Sequence, residues 1–578
     1  MTRLQDELLR RQKQALISDE LYPVKKLEDF FVVNDHEDGL DVSIWPRIRL
    51  FAVVLSIGAG SMFLVALDSV VDNLLPAAKP FLESVYGLPE DADIAWEWIV
   101  SSRIYGLAIG SLLSILVSNQ PSRRAPLITA MALNFFGGSL SGLVTLINNG
   151  VVLCCFGRFL NGIGSGIIQV VGSAMIAEIS PISARGTMLA TLTVWACTGE
   201  LTGMVLGLDT LLGTEILWNL ALVAPSLAIL PAILCIYWAP DSPRALLLNG
   251  DKEAAQKALE FYQYSDEWQS SLDDYMNDIG AGTTVEEKVK LVKQDNCNSK
   301  LWPMMCQRFS SGNFVRPFML GAFILTFVHL DDWLWISYST QVFENIGLTA
   351  RAATRASLMI SFPQAFISIL ALVIFDDFSR KVLIVIPTIM SIICSVLVIV
   401  GIKSGSLFGI WPLYIAVPAL AAADLSAAAV SSESAYTVVP ELFAQKDRVL
   451  GTAIIGILQN VLGGLLTTTA LSIVNKYGTQ FVLGPFLLMN MVYIIGIWRY
   501  LPETNGISAT AIAMHFRSDL PSLRNSEIFR QVLSFLGFFY GRHKVLNVIV
   551  FVIQLTVILF CFYGVCIMFV TGFWFIFA

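Results

Sequence analysis

Twelve segments of this chain are apolar for about the twenty residues that a helix needs to cross a hydrocarbon layer, and a thirteenth runs from about 546 to the end. The twelve lie near 49–71, 97–117, 126–147, 151–176, 187–209, 216–239, 317–340, 353–375, 382–402, 410–439, 450–473 and 480–501. In lipid the backbone must satisfy its own polar groups, so stretches of this length fold as helices. An all-α membrane protein is therefore predicted. Only 14% of the residues are charged, against roughly 25% in a soluble domain. The net charge of −8 gathers in loops and tails, and no basic patch for nucleic acid is present.

Cationic residues mark the sides of such a protein. Arg3, Arg10, Arg11, Lys13, Lys25, Lys26, Arg47 and Arg49 precede or open the first segment. Arg123 and Arg124 follow the second, Arg185 the fourth, Arg380 and Lys381 the eighth, and Lys446 and Arg448 the tenth. The alternate loops are poor in Lys and Arg. The N-terminus is thus expected in the cytosol. Residues 1–47 read as a cytosolic segment and 48–239 as a six-helix bundle. The polar stretch 240–312 reads as a cytosolic linker, and 313–510 as a second six-helix bundle. A cytosolic amphipathic segment, 511–545, then leads to a thirteenth membrane helix, 546–578.

The two halves repeat one another in detail. Glu178 and Arg185 stand seven residues apart after the fourth segment, and Glu441 and Arg448 seven apart after the tenth. Ser118-Asn119-Gln120-Pro121-Ser122-Arg123-Arg124 is answered by Phe375-Asp376-Asp377-Phe378-Ser379-Arg380-Lys381. Pro240-Asp241-Ser242-Pro243-Arg244 closes the first half, and Pro502-Glu503-Thr504-Asn505-Gly506 the second. Charges at matched helix ends of an internally repeated membrane protein read as gating groups. They can pair across the bundles when one side is closed and part when the bundles rock. Positive-inside topology explains the cations, but not Glu178 and Glu441.

These motifs carry a resemblance. Gly157-Arg158-Phe159-Leu160-Asn161-Gly162, Glu178-Ile179-Ser180-Pro181 with Arg185-Gly186, and Gly207-Leu208-Asp209-Thr210 occur in this order. Pro240-Asp241-Ser242-Pro243-Arg244, Tyr338-Ser339-Thr340-Gln341-Val342-Phe343-Glu344 and Glu441-Leu442-Phe443 complete the set. From about 48 to 510 the chain resembles the sugar porters of the major facilitator superfamily, nearest to the animal facilitative glucose transporters. The resemblance implies a twelve-helix fold in two six-helix bundles, alternating-access transport and a place in the plasma membrane rather than an internal one. It implies gating or coupling roles for Asn119, Arg123, Arg124, Glu178, Arg185, Asp376, Arg380, Lys381, Glu441 and Arg448. Asp68 falls near the first-span position that is Asp in proton-coupled members of the family, with Arg158 as its expected partner.

The resemblance is weaker where the family binds sugar. Its seventh-span glutamines and asparagine are replaced here by Phe327-Val328-His329-Leu330-Asp331-Asp332-Trp333. Its fifth-span glutamine is expected at Met204. Its tenth-span box becomes Val430-Ser431-Ser432-Glu433-Ser434-Ala435 with Tyr436, and its eleventh-span Asn-Trp becomes Gln459-Asn460. Glu200 lies one turn before Met204 and shares its face. A charge in a membrane helix usually faces the bundle interior or water. Glu200, Met204, Asp331, Asp332, Trp333, Glu433, Tyr436, Gln459 and Asn460 are therefore the candidate substrate-binding residues.

Three functions fit. The first is a transporter of a small polar solute, a sugar or polyol. The second is a proton-coupled or organic-cation carrier of the same fold, motivated by the acidic replacements and by His329 beside them. The third is a non-transporting sensor, motivated by the lost amides and the added C-terminal helix. No enzyme is expected, since there is no nucleotide-binding loop, and no cofactor. His36, His329, His515 and His543 are too scattered for a metal site. Most of the nine cysteines lie in apolar segments, which argues against a disulfide framework.

Overall fold

The computed structural model describes residues 45–63, 69–118, 122–147, 149–181, 185–227, 229–248, 250–263, 312–328, 332–374, 379–408, 410–443 and 448–502, together with Leu272 and Phe309. The expected amphipathic segment 511–545 and the thirteenth helix 546–578 lie outside the described residues.

Helices in the first half are α1 (Trp45–Gly58), α2 (Val70–Tyr86), α3 (Pro89–Ser118), α4 (Arg124–Ser141), α5 (Gly150–Ile179), α6 (Arg185–Leu206), α7 (Trp218–Leu227) and α8 (Ile229–Trp238). Two short helices follow, α9 (Pro243–Leu248) and α10 (Lys252–Tyr262). The second half contains α11 (Gly312–Phe327), α12 (Asp332–Ile346), α13 (Ala350–Ile374), α14 (Arg380–Phe408), α15 (Ile410–Leu442), α16 (Arg448–Tyr477) and α17 (Gln480–Tyr500). Among the described residues nine helices are long and apolar enough to cross a membrane. Those nine already count α7–α8 and α11–α12 as one span each; α13, α15 and the pair α1–α2 supply the other three of the twelve expected crossings.

The breaks have local causes. After Gly58, α1 widens into a π-turn over Ala59–Phe63, and the close pass of α6 bears on it. A Cβ on Gly199 would stand 2.3 Å from the carbonyl oxygen of Phe63. Inside α12, Tyr338 leaves helical geometry at φ −144° and ψ 22°. The helix therefore bends at the first residue of the Tyr338-Ser339-Thr340 motif.

Within the first bundle, α3 and α5 pack through glycines, which let two backbones approach in a membrane where no hydrophobic force drives them together. An added Cβ on Gly106 would meet the Phe159 carbonyl at 2.2 Å, and one on Gly162 the Arg103 carbonyl at 2.1 Å.

The linker leaves from one end of the molecule, here the linker end; the opposite end is the far end. Packing differs between the two. At the far end one core mixes both bundles, with Val70, Leu74, Trp96 and Trp218 against Leu334, Trp335, Val342 and Leu471. Toward the linker end each bundle keeps a core of its own, one around Val54, Met131 and Ile176 and the other around Phe314, Val438 and Phe443. Two small clusters, Ile115 with Val170 and Ala453, and Ala190 with Leu383, bridge them there.

Candidate functional site

A central cavity of about 210 Å³ lies between the bundles. One face of α6 supplies Leu192, Thr193, Ala196, Cys197 and Glu200, the recurrence of a single helical stripe. α12 contributes Asp332, Trp333, Ile336 and Ser337, while Tyr436 comes from α15 and Gln459 with Asn460 from α16. The Gln459 amide donates to the Tyr436 hydroxyl at 3.0 Å. The Trp333 ring packs against Gly463 of α16, where an added Cβ would fall 2.6 Å from it. Arg103 lines the cavity from α3 and donates to Asn161 Oδ1 at 2.7 Å.

Glu200 is buried in the wall and joins the two bundles. Its carboxylate accepts from Ser361 Oγ at 3.3 Å and from Gln364 Nε2 at 3.1 Å, both on α13. Glu433 sits on α15, but its side chain lies outside the described residues, as does Asp331 altogether.

Met204 requires a correction. It was expected to share the cavity face with Glu200, yet its side chain is fully buried and absent from the cavity wall. The reason is α2, which covers α6 from Glu200 onward. Ser69 Oγ donates to the Glu200 carbonyl at 3.0 Å and Asn73 Nδ2 to the Met204 carbonyl at 2.8 Å. The stripe therefore faces solute only up to Glu200.

Sequence reasoning missed two cavity residues. Gln169 of α5 and Gln364 of α13 both line the wall. With Gln459 and Asn460 they give the cavity four carboxamides. Each lies in an apolar segment, where a polar side chain faces the protein interior, and that is the signal in the sequence that marks them.

The cavity continues toward the linker end. A second space of about 120 Å³ shares Gln169, Leu192, Thr193, Tyr436 and Gln459 with the first and reaches Pro440, Arg448 and Thr452. Toward the far end, hydrogen bonds cross between the bundles. Ser472 donates its backbone N–H to Glu97 Oε1 at 2.8 Å and its hydroxyl to Oε2 at 3.1 Å. Asn475 Nδ2 donates to Asp93 at 3.0 Å, and Tyr105 and Thr468 share a hydrogen bond at 3.0 Å. Arg351 Nε donates to Asp209 at 2.8 Å. Asp72 of α2 accepts from Ser339 and Thr340 of α12. Among the described residues the two bundles are thus clasped at the far end, while the cavity extends toward the linker end.

The charged motifs lie at the linker end. Arg123 and Glu178 form an ion pair at 3.3 Å, and Ser242 Oγ also donates to Glu178. Asp241 Oδ1 takes the backbone N–H groups of Arg123, Arg124 and Ser242 at 2.9, 3.2 and 2.7 Å. All of these partners belong to the first half. Cross-bundle pairing of these charges is expected only while that side is closed; here the described contacts of Glu178 and Asp241 tie the ends of α5, α4 and α8 into one block. The repeat recurs in three dimensions. Arg124 donates to the Ala239 carbonyl at 3.1 Å at the end of the first half, and Lys381 to the Leu501 carbonyl at 3.3 Å at the end of the second. Arg380 is buried beside Lys381. Arg448 Nε donates to the Pro440 carbonyl at 2.9 Å, next to half-buried Glu441. Arg158 is buried and donates to the Ile99 carbonyl, while its expected partner Asp68 lies outside the described residues. Asn119 and Asp376 lie outside them too, and so does the side chain of Arg185, which opens α6.

A family model described as "Sugar (and other) transporter" matches residues 48–516. Facilitated glucose transporter protein 1 of Caenorhabditis elegans is 24% identical over 438 residues, 74% of this chain and 81% of that protein. Facilitated glucose transporter member 3 of Gallus gallus is 29% identical over 266 residues, and member 2 of Bos taurus 25% over 330. These two matches span 50% and 60% of the relatives' own length. Among solved structures, the proton:xylose symporter XylE of the major facilitator superfamily, bound to 6-bromo-6-deoxy-D-glucose, aligns with a TM-score of 0.65 at 19% identity. That alignment covers 81% of this chain and 99% of XylE. A partially occluded inward-open form of XylE aligns at 0.60 and 20%. The likeness is one of fold: twelve crossings in the major facilitator arrangement.

Proposed function

The chain belongs to the family of sugar (and other) transporters, and from that premise we propose that it carries a small polar solute, a sugar or polyol, across a membrane by alternating access. The observation that carries this reading is the central cavity between two clasped bundles. Four carboxamides, Gln169, Gln364, Gln459 and Asn460, share its wall with Arg103, Ser337, Ser432 and Thr193. A carboxamide donates and accepts at once, which suits a solute whose hydroxyls do the same. A site built of such groups rejects solutes that leave them unpaired. Solute enters from the linker end in this conformation. Opening the far end requires the cross-bundle hydrogen bonds to part and the linker-end cores to meet, a rigid rocking of one bundle against the other.

In this reading the N-terminus and the linker face the cytosol, so the conformation is inward-open, and the protein works in the plasma membrane. The solute leaves chemically unchanged. The named relatives are glucose transporters. A second reading rests on Glu200 and Asp332, two carboxylates in the same wall. It makes the solute cationic, or couples its movement to protons. Counterflow of labelled hexoses, pentoses, polyols and organic cations in proteoliposomes separates the two. Counterflow of a neutral polyhydroxyl compound is expected. Counterflow confined to cations would replace the first reading by the second, and none with any solute would reject both.

A further inference from the structure

Among the cross-bundle acceptors of the far end, the carboxylate of Asp72 is nearly inaccessible, at 1% exposure. It belongs to α2 of the first bundle but spends its hydrogen bonds on the second. Oδ2 accepts from Ser339 Oγ at 2.7 Å and from Thr340 Oγ1 at 3.0 Å. Oδ1 accepts the backbone N–H of Thr340 at 3.1 Å. That N–H would serve the Ile336 carbonyl in a continuous helix, but the bend at Tyr338 redirects it. The carboxylate supplies what the bend leaves wanting, so the distorted form of α12 and the closed far end stabilise one another.

The neighbours fix the arrangement. Ser357 of α13 lies 2.7 Å from Ser339 Oγ and 2.9 Å from Thr340 Oγ1, and its single proton can serve either hydroxyl while those two point at Asp72. The Asn73 amide donates to the Met204 carbonyl, and its Oδ1 lies 2.9 Å from Thr340 Oγ1, so it shares the single Thr340 hydroxyl proton with Asp72, whose carboxylate also keeps the Thr340 backbone N–H. Among the described residues every partner of Asp72 is a neutral donor. A buried carboxylate whose only donors lie across an interface strongly disfavours opening that interface unless water replaces them.

We propose that Asp72 is the latch of the far-end gate: its carboxylate, capping the amide freed at the Tyr338 bend, sets the balance between the two faces of the transport cycle. The proposal deepens the alternating-access reading and rests on it, but its test needs no solute. Spin labels on Leu88→Cys and Tyr477→Cys, in a background with the native cysteines replaced, report the separation of the far ends in purified protein. Labels on Lys257→Cys and Tyr500→Cys report the linker ends. Asp72→Ala is expected to shift the ratio of far-end-closed to far-end-open protein at least tenfold toward open, about 1.4 kcal/mol, with the linker-end distance shortening in step. Asp72→Asn, which keeps the shape and one acceptor oxygen, should fall between. Should Asp72→Ala fail to fold, Ser339→Ala with Thr340→Val removes the same bonds from the other bundle and must give the same shift. Adding Asp72→Ala to that pair should then change little, since the partners form one unit. Unchanged distances in the folded variants would overturn the latch even where counterflow is normal. Shifted distances in a protein that moves no solute would uphold the latch and reject the transport reading alone.

Discussion

The glycine contact between α3 and α5 allows a quantitative test of what holds the first bundle together. Replacing Gly162 by Ala places a methyl group 2.1 Å from the Arg103 carbonyl oxygen, 2.9 Å from the Gly106 Cα and 3.0 Å from the Arg103 carbonyl carbon. All three are backbone atoms of a long helix, so no side-chain rotation relieves the clash. A carbon and an oxygen settle at about 3.5 Å, so the helices must part by roughly an ångström at this level. Overpacking of this kind costs about 1–3 kcal/mol. The displacement is functional as well, because the helix that moves carries Arg103, which lines the cavity and bonds Asn161 on α5. The matched control is Gly484→Ala in α17, where an added Cβ meets nothing within 4 Å. The melting temperature of the purified protein should fall by about 1–3 degrees for Gly162→Ala and stay unchanged within about half a degree for Gly484→Ala. Solute uptake should drop in the first variant and not in the second. Equal melting temperatures for the two would refute the view that the α3–α5 backbone approach is a tight, stabilising contact.

Two further outcomes follow from the site. Glu200→Gln removes the charge and keeps an acceptor for only one of Ser361 and Gln364, the other facing an NH2 donor; uptake of a neutral polyhydroxyl solute should persist, with KM changed by no more than about tenfold, or 1.4 kcal/mol. Abolished uptake at normal abundance would move the assignment to the cationic or proton-coupled reading. Asp93→Cys with Asn475→Cys replaces a 3.0 Å cross-bundle hydrogen bond. A short thiol crosslinker there should stop uptake, and a cleavable one should restore it on reduction. Continued uptake by the crosslinked protein would exclude opening of the far end from the cycle.

The crossings were legible because lipid imposes a length on every one of them. The ends of the crossings were less so, and the reason lies in the clasp. The second span was expected to start at 97, but α3 begins at Pro89. Glu90, Asp91, Asp93 and Glu97 lower the hydropathy of that turn, although Asp93 and Glu97 are the residues that bind Asn475 and Ser472. The first span was expected to end at 71, yet α2 runs to Tyr86 with Pro76 and Pro80 inside it. A hydropathy window treats Asp72 and Asn73 as the end of an apolar run. The structure makes them the meeting point of two bundles.

The cavity shows the same limit from the other side. Glu200 could be placed by the cost of a charge in lipid, but whether the next turn of α6 faces solute depends on α2, a helix more than a hundred residues away in the chain. Met204 was misplaced for that reason alone. Loss of the seventh-span amides weakened the resemblance at the sugar site. That comparison counted residues at one helix, whereas a solute meets the sum over all the helices around it. Gln169 and Gln364 approach the same space from α5 and α13, so the count of carboxamides facing the cavity is a property of the assembled bundle. A carrier can thus exchange the helices that supply its hydrogen bonds while keeping the bonding capacity its solute requires. Binding-site similarity among such proteins is therefore better judged by the groups around the cavity than by the motif on any single span.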